Sequence, residues 1–219
     1  MSGGEGEEGI EPLELSSSTH AALQAFLQEQ AAQEDAGKTD PFAENWGLSQ
    51  FWYTQETANT VAKEICEACP GGRVACIACP SLFREFKRSF PNVDCTLFEF
   101  DSRFEVLGNF ALYDYNEPLD IREDLMQAFE VVVADPPYLS EECLTKTLQS
   151  VELLKKDPKD SFVYLLTGAV MRNVALNVGK LRAVAFRPQH SSKLANEFLL
   201  YTNQKPSPRL GGWDITAQE

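Results

Sequence analysis

The tetrapeptide Asp135-Pro136-Pro137-Tyr138 combines a carboxylate, two prolines and an aromatic ring. Neither proline can donate to a sheet, and each fixes φ at about −65°, so together they form a rigid bend. The bend would hold the Asp135 carboxylate and the Pro136 carbonyl as two fixed acceptors. Transfer of a methyl group to an amine needs such acceptors, because they orient the attacking nitrogen through its N–H bonds. The face of the Tyr138 ring would favour the developing positive charge. We therefore take these four residues as the candidate catalytic group.

The bend must be positioned by the strand before it. Residues 130–135 (EVVVAD) do not alternate with polar residues, which is typical of a strand buried on both faces. Further strands are predicted at 73–78, 93–101, 109–115 and 161–168, with helices from Thr54, over 82–90 and 121–129, and from Ser140. This alternation predicts a parallel, doubly wound α/β sheet. Residues 180–186 and 196–203 have no clear helix between them, so we expect a hairpin whose last strand enters antiparallel.

Ligands of such sheets bind at the carboxyl ends of the strands. The first of these ends is the turn from Ala78 to Ser81, which is poor in glycine and so gives only a weak phosphate-binding signal. The second strand ends in FEFD, and a carboxylate there can accept both ribose hydroxyls of an adenosine. We expect Asp101 to fill that role, with Glu99 as the second candidate. The third strand end at this edge is the bend at residues 135–138.

Composition restricts the class of partner. The chain has 219 residues, 43% of them hydrophobic, and a net charge of −14. Residues 1–44 hold ten acids and one lysine, and the remaining chain is also acidic, with no basic block. An enzyme that grips a long phosphate backbone needs lysines and arginines along its groove, so the charge argues against nucleic acid. Residues 1–16 are predicted to be a disordered acidic tail and residues 17–45 a helix and linker, before a globular domain over 46–219.

Cysteine and histidine side chains are further candidates for site residues. Cys66, Cys69, Cys76 and Cys79 form two CxxC pairs, but the pairs are too close together for the usual zinc-binding spacing. We therefore expect buried thiols and no metal. No signal peptide or membrane span is evident, so a cytosolic or nuclear protein is expected, and we favour the cytoplasm. His190 lies in the last loop, where it is a candidate site residue.

Several motifs together resemble a known family. These are QFWYTQETA, FEFDSRF, YDYNEPLD, ADPPYLSEECL and LANEF, which cover the chain from about Trp46 to Asn203. The chain resembles the elongation factor 1-alpha lysine methyltransferase 1 family, within the class I methyltransferases that share an [N/D/S]PP[Y/F/W] motif. That family was formerly grouped with N6-adenine DNA methyltransferases. The resemblance implies a Rossmann-like sheet of seven strands with the last one antiparallel, to which the residue pattern adds an N-terminal helical extension.

The resemblance also implies ligands and their residues. It implies S-adenosylmethionine as cofactor and elongation factor 1-alpha as protein substrate. With the charge and the lack of a long apolar run, we expect a monomer that uses neither nucleic acid nor a membrane. Cofactor binding is expected at Ala78, Cys79, Ser81, Glu99, Asp101, Asp114, Tyr115, Tyr53 and Thr54. Substrate binding is expected at Phe51, Trp52, His190 and Asn196. Two alternatives remain open: an adenine N6-methyltransferase acting on nucleic acid, since adenine also presents a nitrogen with two N–H bonds, and a non-catalytic scaffold.

Overall fold

The computed structural model describes residues 42–157, 160–192 and 194–216. Seven strands form one sheet: β1 (Val74–Ile77), β2 (Cys95–Glu99), β3 (Phe110–Leu112), β4 (Val131–Ala134), β5 (Phe162–Gly168), β6 (Arg182–Ala183) and β7 (Phe198–Thr202). Their order is β3-β2-β1-β4-β5-β7-β6. The first five strands run parallel, and β7 is antiparallel to both β5 and β6. The predicted seven-stranded sheet with an antiparallel last strand is therefore confirmed.

Helices cover both faces of the sheet. They are α1 (Gln55–Ala68), α2 (Pro80–Ser89), α3 (Glu141–Leu154) and α4 (Arg172–Asn177). α1 packs against α2, which also contacts β1 and β2, whereas α3 packs against β4 and α4. Every residue of β1 and β4 is buried, as expected for strands covered on both sides. Burial on both faces explains why the valine run of β4 contains no polar residue.

Polar side chains fix where the helices begin. The Thr57 amide donates to the Thr54 hydroxyl at 3.2 Å, and the Cys143 amide donates to the Ser140 hydroxyl at 3.2 Å. Both are N-caps of the predicted kind, so α1 and α3 begin immediately after these residues. Because α3 begins at Glu141, only two residues separate it from the Pro-Pro bend, which is held between a buried strand and a capped helix.

Residues 121–129 depart from the predicted helix. Only a short 3-10 turn forms, over Glu123–Leu125. Gln127 has φ of +51°, and its amide donates to the Leu153 carbonyl at 2.8 Å instead of to the preceding turn. The segment buries its apolar side chains without forming a helix, since Leu125 and Phe129 are both buried. The short helix α4 was not predicted.

The predictions for the N-terminal segment concern residues that lie largely outside the described ranges. The disordered tail at 1–16 and most of the helix and linker at 17–45 fall before residue 42, so they stay predictions. Among the residues that the structure describes, no helix is both long and apolar enough to span a bilayer.

Candidate active site

A cavity of about 490 Å³ opens at the carboxyl ends of the parallel strands. The structure brings most of the predicted site residues to its wall: Phe51, Trp52, Ala78, Ser81, Glu99, Asp114, Tyr115, Asp135, Pro136, Pro137, Tyr138, His190 and Asn196. Four predicted residues do not line it, namely Tyr53, Thr54, Cys79 and Asp101. The cavity therefore joins the end of β4, the first turn, the end of β2 and the loop before β7.

The bend after β4 lies at the centre of this wall. The Asp135 amide donates to the Ile77 carbonyl at 3.0 Å, which continues the β1–β4 pairing by one residue. Pro136 is buried, whereas Tyr138 is 43% exposed and can meet a ligand that enters from solvent. The Tyr138 ring lies 5.7 Å from the Tyr115 ring at 62°. The bend thus presents a carboxylate and an accessible aromatic face side by side.

Burial controls the charge of the carboxyl groups in the cavity. Desolvation raises the pKa of Asp135 to about 8, with a smaller increase from the negative charge of Glu99, while the Tyr53 hydroxyl lowers it. Desolvation likewise raises the pKa of Glu99 to about 7, although backbone amides that donate to it oppose the shift. Among the residues that the structure describes, no cation contributes to the pKa shift of either carboxyl as a leading cause. A positively charged ligand in this cavity would favour their ionised forms.

The two acids of the second strand occupy different places. Glu99 lines the cavity, where it accepts hydrogen bonds from the Phe100 and Asp101 amides at 3.1 Å each. Asp101 instead caps the 3-10 turn Ser102–Leu107 and forms an ion pair with Arg103 at 2.6 Å. Gln50 donates to the Asp101 carboxylate at 3.0 Å. With its oxygens engaged in this way, Asp101 is placed to support the wall, whereas Glu99 faces the cavity.

The glycine-poor first turn reaches its shape through an alanine. Ala78 has φ of +49°, and its amide donates to the Phe98 carbonyl at 2.8 Å. Cys79 follows as the residue before α2; it is fully buried, and its thiol lies 3.6 Å from the Val133 carbonyl. Ser81 lines the cavity from the first turn of α2. The left-handed conformation that glycine normally supplies is present here without one.

The segment before α1 closes one side of the cavity. Trp52 lines it, while the backbone of this segment pairs with the loop before β7: the Thr54 amide donates to the Gln189 carbonyl at 2.8 Å, and the Ser191 amide donates to the Trp52 carbonyl at 2.7 Å. The Thr54 side chain is engaged as the cap of α1. Pairing with residues 189–191 therefore sets the position of the whole segment.

His190 belongs to an aromatic stack on this side. Its ring lies 4.4 Å from the Tyr53 ring and 4.6 Å from the Phe198 ring. Desolvation lowers the pKa of His190 to about 4, despite the opposing effect of Glu44. The imidazole is therefore neutral at physiological pH, and this side of the cavity presents uncharged rings.

Sequence reasoning missed several cavity residues. Gln50 and Phe100 line the wall beside Glu99, and Leu139, Leu194 and Phe198 line it elsewhere. Gln50 directly precedes the aromatic run FWY and Phe100 separates the two acids, so adjacency to predicted site residues was the available signal. The other three are apolar, but each also lies beside a predicted site residue: Leu139 directly follows Tyr138, and Leu194 and Phe198 lie two positions on either side of Asn196.

The cysteines are dispersed over several elements. Cys76 and Cys79 are buried as expected, whereas Cys66 and Cys69 are partly exposed near the end of α1, so the expectation of buried thiols is wrong for these two. Within the described ranges, no group of three or more histidine, cysteine, aspartate or glutamate side chains is arranged to hold a metal ion. The expectation that the cysteines bind no metal stays a prediction.

Known proteins resemble the chain over most of its length. A family model described as probable N6-adenine methyltransferase matches residues 44–206. EEF1A lysine methyltransferase 1 of Homo sapiens is 42% identical over 205 residues, covering 90% of this chain and 94% of that protein. A protein-lysine N-methyltransferase of Caenorhabditis elegans is 38% identical over 205 residues, covering 87% and 93%. The solved branched-chain polyamine synthase of Thermus thermophilus shares the fold, with a TM-score of 0.51, 12% identity, and coverage of 73% and 58%.

Proposed function

The chain belongs to the EEF1A lysine methyltransferase 1 family, and on this premise we propose that it is an S-adenosylmethionine-dependent protein-lysine N-methyltransferase acting on elongation factor 1-alpha. The observation that carries the proposal is the bend Asp135-Pro136-Pro137-Tyr138 on the wall of a cavity at the carboxyl ends of β1, β2 and β4. It offers an amine two fixed acceptors and an aromatic face.

The cavity suits the cofactor. Glu99 can accept the ribose hydroxyls, and we assign it this role in preference to Asp101, which is occupied by Arg103 and Gln50. Ala78 and Ser81 would meet the methionine portion, and Asp114 would lie beside the adenine. S-adenosylmethionine supplies an electrophilic methyl group, and its positive sulfonium suits a cavity whose wall holds the Asp135 and Glu99 carboxyls.

The residues of the bend would prepare the substrate nitrogen. A free lysine has a pKa of about 10.4, so its side chain must lose a proton before the nitrogen lone pair is available. Asp135 can accept an N–H bond or that proton, and the Pro136 carbonyl can accept a second N–H bond. These contacts would aim the lone pair at the methyl carbon. The Tyr138 ring would stabilise the positive charge that the nitrogen gains.

The uncharged side of the cavity would receive the lysine side chain. Trp52, Phe198 and the neutral His190 line this side. Aromatic rings suit the apolar stem of a lysine, and a neutral imidazole does not repel its ammonium group. Asn196 adds an amide from the loop before β7, which also carries His190. We assign the protein-substrate contacts to this side.

The environment of the enzyme follows from the same proposal. We propose a cytoplasmic monomer that uses neither nucleic acid nor a membrane, in keeping with a net charge of −14 and the absence of a basic block from the sequence. The family model is described by adenine methylation, so nucleic acid remains the competing substrate. Acidic protein surfaces repel phosphate backbones, which favours the protein substrate.

Methyl transfer from labelled cofactor tests this proposal directly. The purified protein is incubated with recombinant elongation factor 1-alpha, or with DNA and RNA oligonucleotides, and mass spectrometry locates the methyl groups. We expect methylation of a lysine in the factor and none in the oligonucleotides. Asp135→Asn should abolish transfer, whereas Asp120→Asn, at an exposed position, should preserve it. Methylation of adenine without methylation of the factor would reverse the assignment.

A further inference from the structure

Tyr53 is a buried tyrosine behind the cavity wall. It is 4% exposed, and its ring packs on His190 at 4.4 Å with an angle of 34° between the planes. His190 in turn packs edge-on against Phe198, and both of these residues line the cavity. Tyr53 itself does not, so it is separated from the cavity space by its neighbours. Its predicted contact with the cofactor therefore has no support from its placement.

The backbone around Tyr53 is held by long-range pairing. Tyr53 and His190 form an antiparallel bridge, and hydrogen bonds flank it on both sides, from Thr54 to Gln189 at 2.8 Å and from Ser191 to Trp52 at 2.7 Å. The ring is thus fixed both by its own backbone and by the stack. A group fixed in this way can orient a neighbour with little loss of side-chain entropy.

The hydroxyl of Tyr53 is buried and interacts with the carboxyl group of the catalytic bend. That carboxyl group belongs to Asp135, and the two groups interact electrostatically. Their geometry does not complete a hydrogen bond, and the hydroxyl has no other hydrogen-bond partner within the described residues. Leaving a buried hydroxyl unsatisfied is unfavourable, so such groups are normally paired. The acceptor within reach is Asp135.

We propose that Tyr53 is a positioning residue for Asp135, donating a hydrogen bond to the carboxylate oxygen that the substrate amine does not use. The inference rests on the proposed function. A carboxylate has two oxygens, and fixing one of them turns the other towards the amine. The bond also stabilises the ionised carboxylate, which is the form able to accept an N–H bond or a proton.

The groups around Asp135 determine the direction in which its pKa should change when the Tyr53 hydroxyl is removed. Those that face it are the Glu99 carboxyl from β2, the Cys79 thiol and the Tyr53 hydroxyl. Burial and Glu99 raise the pKa of Asp135, whereas Tyr53 lowers it. Removing the hydroxyl should therefore raise that pKa, so activity should begin to rise at a higher pH. A purely structural tyrosine would not move this midpoint.

The test compares Tyr53→Phe with Tyr164→Phe, which removes the same atom from another fully buried tyrosine, on β5 and away from the cavity. We expect Tyr53→Phe to lower kcat at neutral pH by roughly tenfold to a hundredfold, with KM for the cofactor nearly unchanged. The acid limb of its pH–rate profile should move up by about one unit or less. Tyr164→Phe should keep the wild-type midpoint.

A second measurement does not depend on activity. The Asp135 carboxyl is titrated by carbon NMR in the wild type and in Tyr53→Phe, both free of cofactor. A higher pKa in Tyr53→Phe supports the inference, and equal values overturn it. An equal shift in Tyr164→Phe also overturns it, because the effect would then be general. A wild-type protein that methylates nothing would refute the proposed function, while the NMR comparison would still decide the role of Tyr53.

Discussion

Replacing Asp135 by asparagine should remove activity and yet stabilise the cofactor-free protein increasingly as the pH rises. The pKa of Asp135 is about 8 in the folded protein, against 3.8 for an unperturbed aspartate. Between these values the folded state binds more protons than the unfolded state, so the stability of the wild type falls with rising pH. Asparagine cannot ionise, so the stability of Asp135→Asn does not fall with rising pH for this reason.

The size of the effect follows from linkage. One bound proton changes the free energy of unfolding by about 1.4 kcal/mol per pH unit, which amounts to about 3 kcal/mol between pH 5 and 7. The Asp135 side chain opens partly onto the cavity, where water stabilises the charged form. Roughly 3 kcal/mol is therefore an upper limit, and we expect an increase of at least about 1 kcal/mol in the stability difference between the two proteins.

Urea unfolding at pH 5, 6 and 7 measures this difference. The free energy of unfolding of Asp135→Asn, minus that of the wild type, should grow steadily over the series. Asp120→Asn makes the same chemical change at an exposed position, and its difference from the wild type should stay constant. Parallel curves for Asp135→Asn and wild type would refute the reasoning, because they would show that burial does not hold the proton on Asp135.

Three further predictions concern the cofactor wall and the cysteines. Glu99→Gln should weaken S-adenosylmethionine binding in calorimetry by at least about tenfold, and Asp101→Asn should weaken it less. The reverse order would support Asp101 as the residue that binds the ribose. Ala78→Gly should raise the free energy of unfolding by up to roughly 1 kcal/mol, since glycine adopts the observed φ of +49° without strain; a loss of stability would contradict this. Chelator treatment should leave melting and activity unchanged, and stoichiometric zinc in the purified protein would refute the expectation of no metal.

The sheet was accessible from sequence because its signals are local. The valine run of β4, its termination by two prolines, and the caps Thr54 and Ser140 each depend on neighbouring residues, and each prediction is matched by the structure. The helix expected over 121–129 failed for the opposite reason. Its apolar spacing is also met by a non-helical segment whose amides bond to the distant end of α3.

The finer arrangement of the site depends on contacts that no local pattern encodes. The FEFD motif identified two acids, but Asp101 does not line the cavity, and its carboxylate is engaged by Arg103 and Gln50. Gln50 comes from a segment 51 positions earlier in the chain. The placement of Tyr53 behind Asp135 requires the pairing with His190, which becomes visible only once the two segments are brought together.

That pairing bears on how the protein folds. The Ser191 hydroxyl donates to the Tyr53 carbonyl across 138 positions, so the contact closes a loop containing nearly all of the sheet. Closing a long loop costs entropy before the contact is gained, which makes such pairings late events in folding. The wall that they build should therefore be absent from partly folded chains. Cofactor binding would then indicate that folding is complete. A nascent chain would become able to bind the cofactor only after residue 191 has left the ribosome.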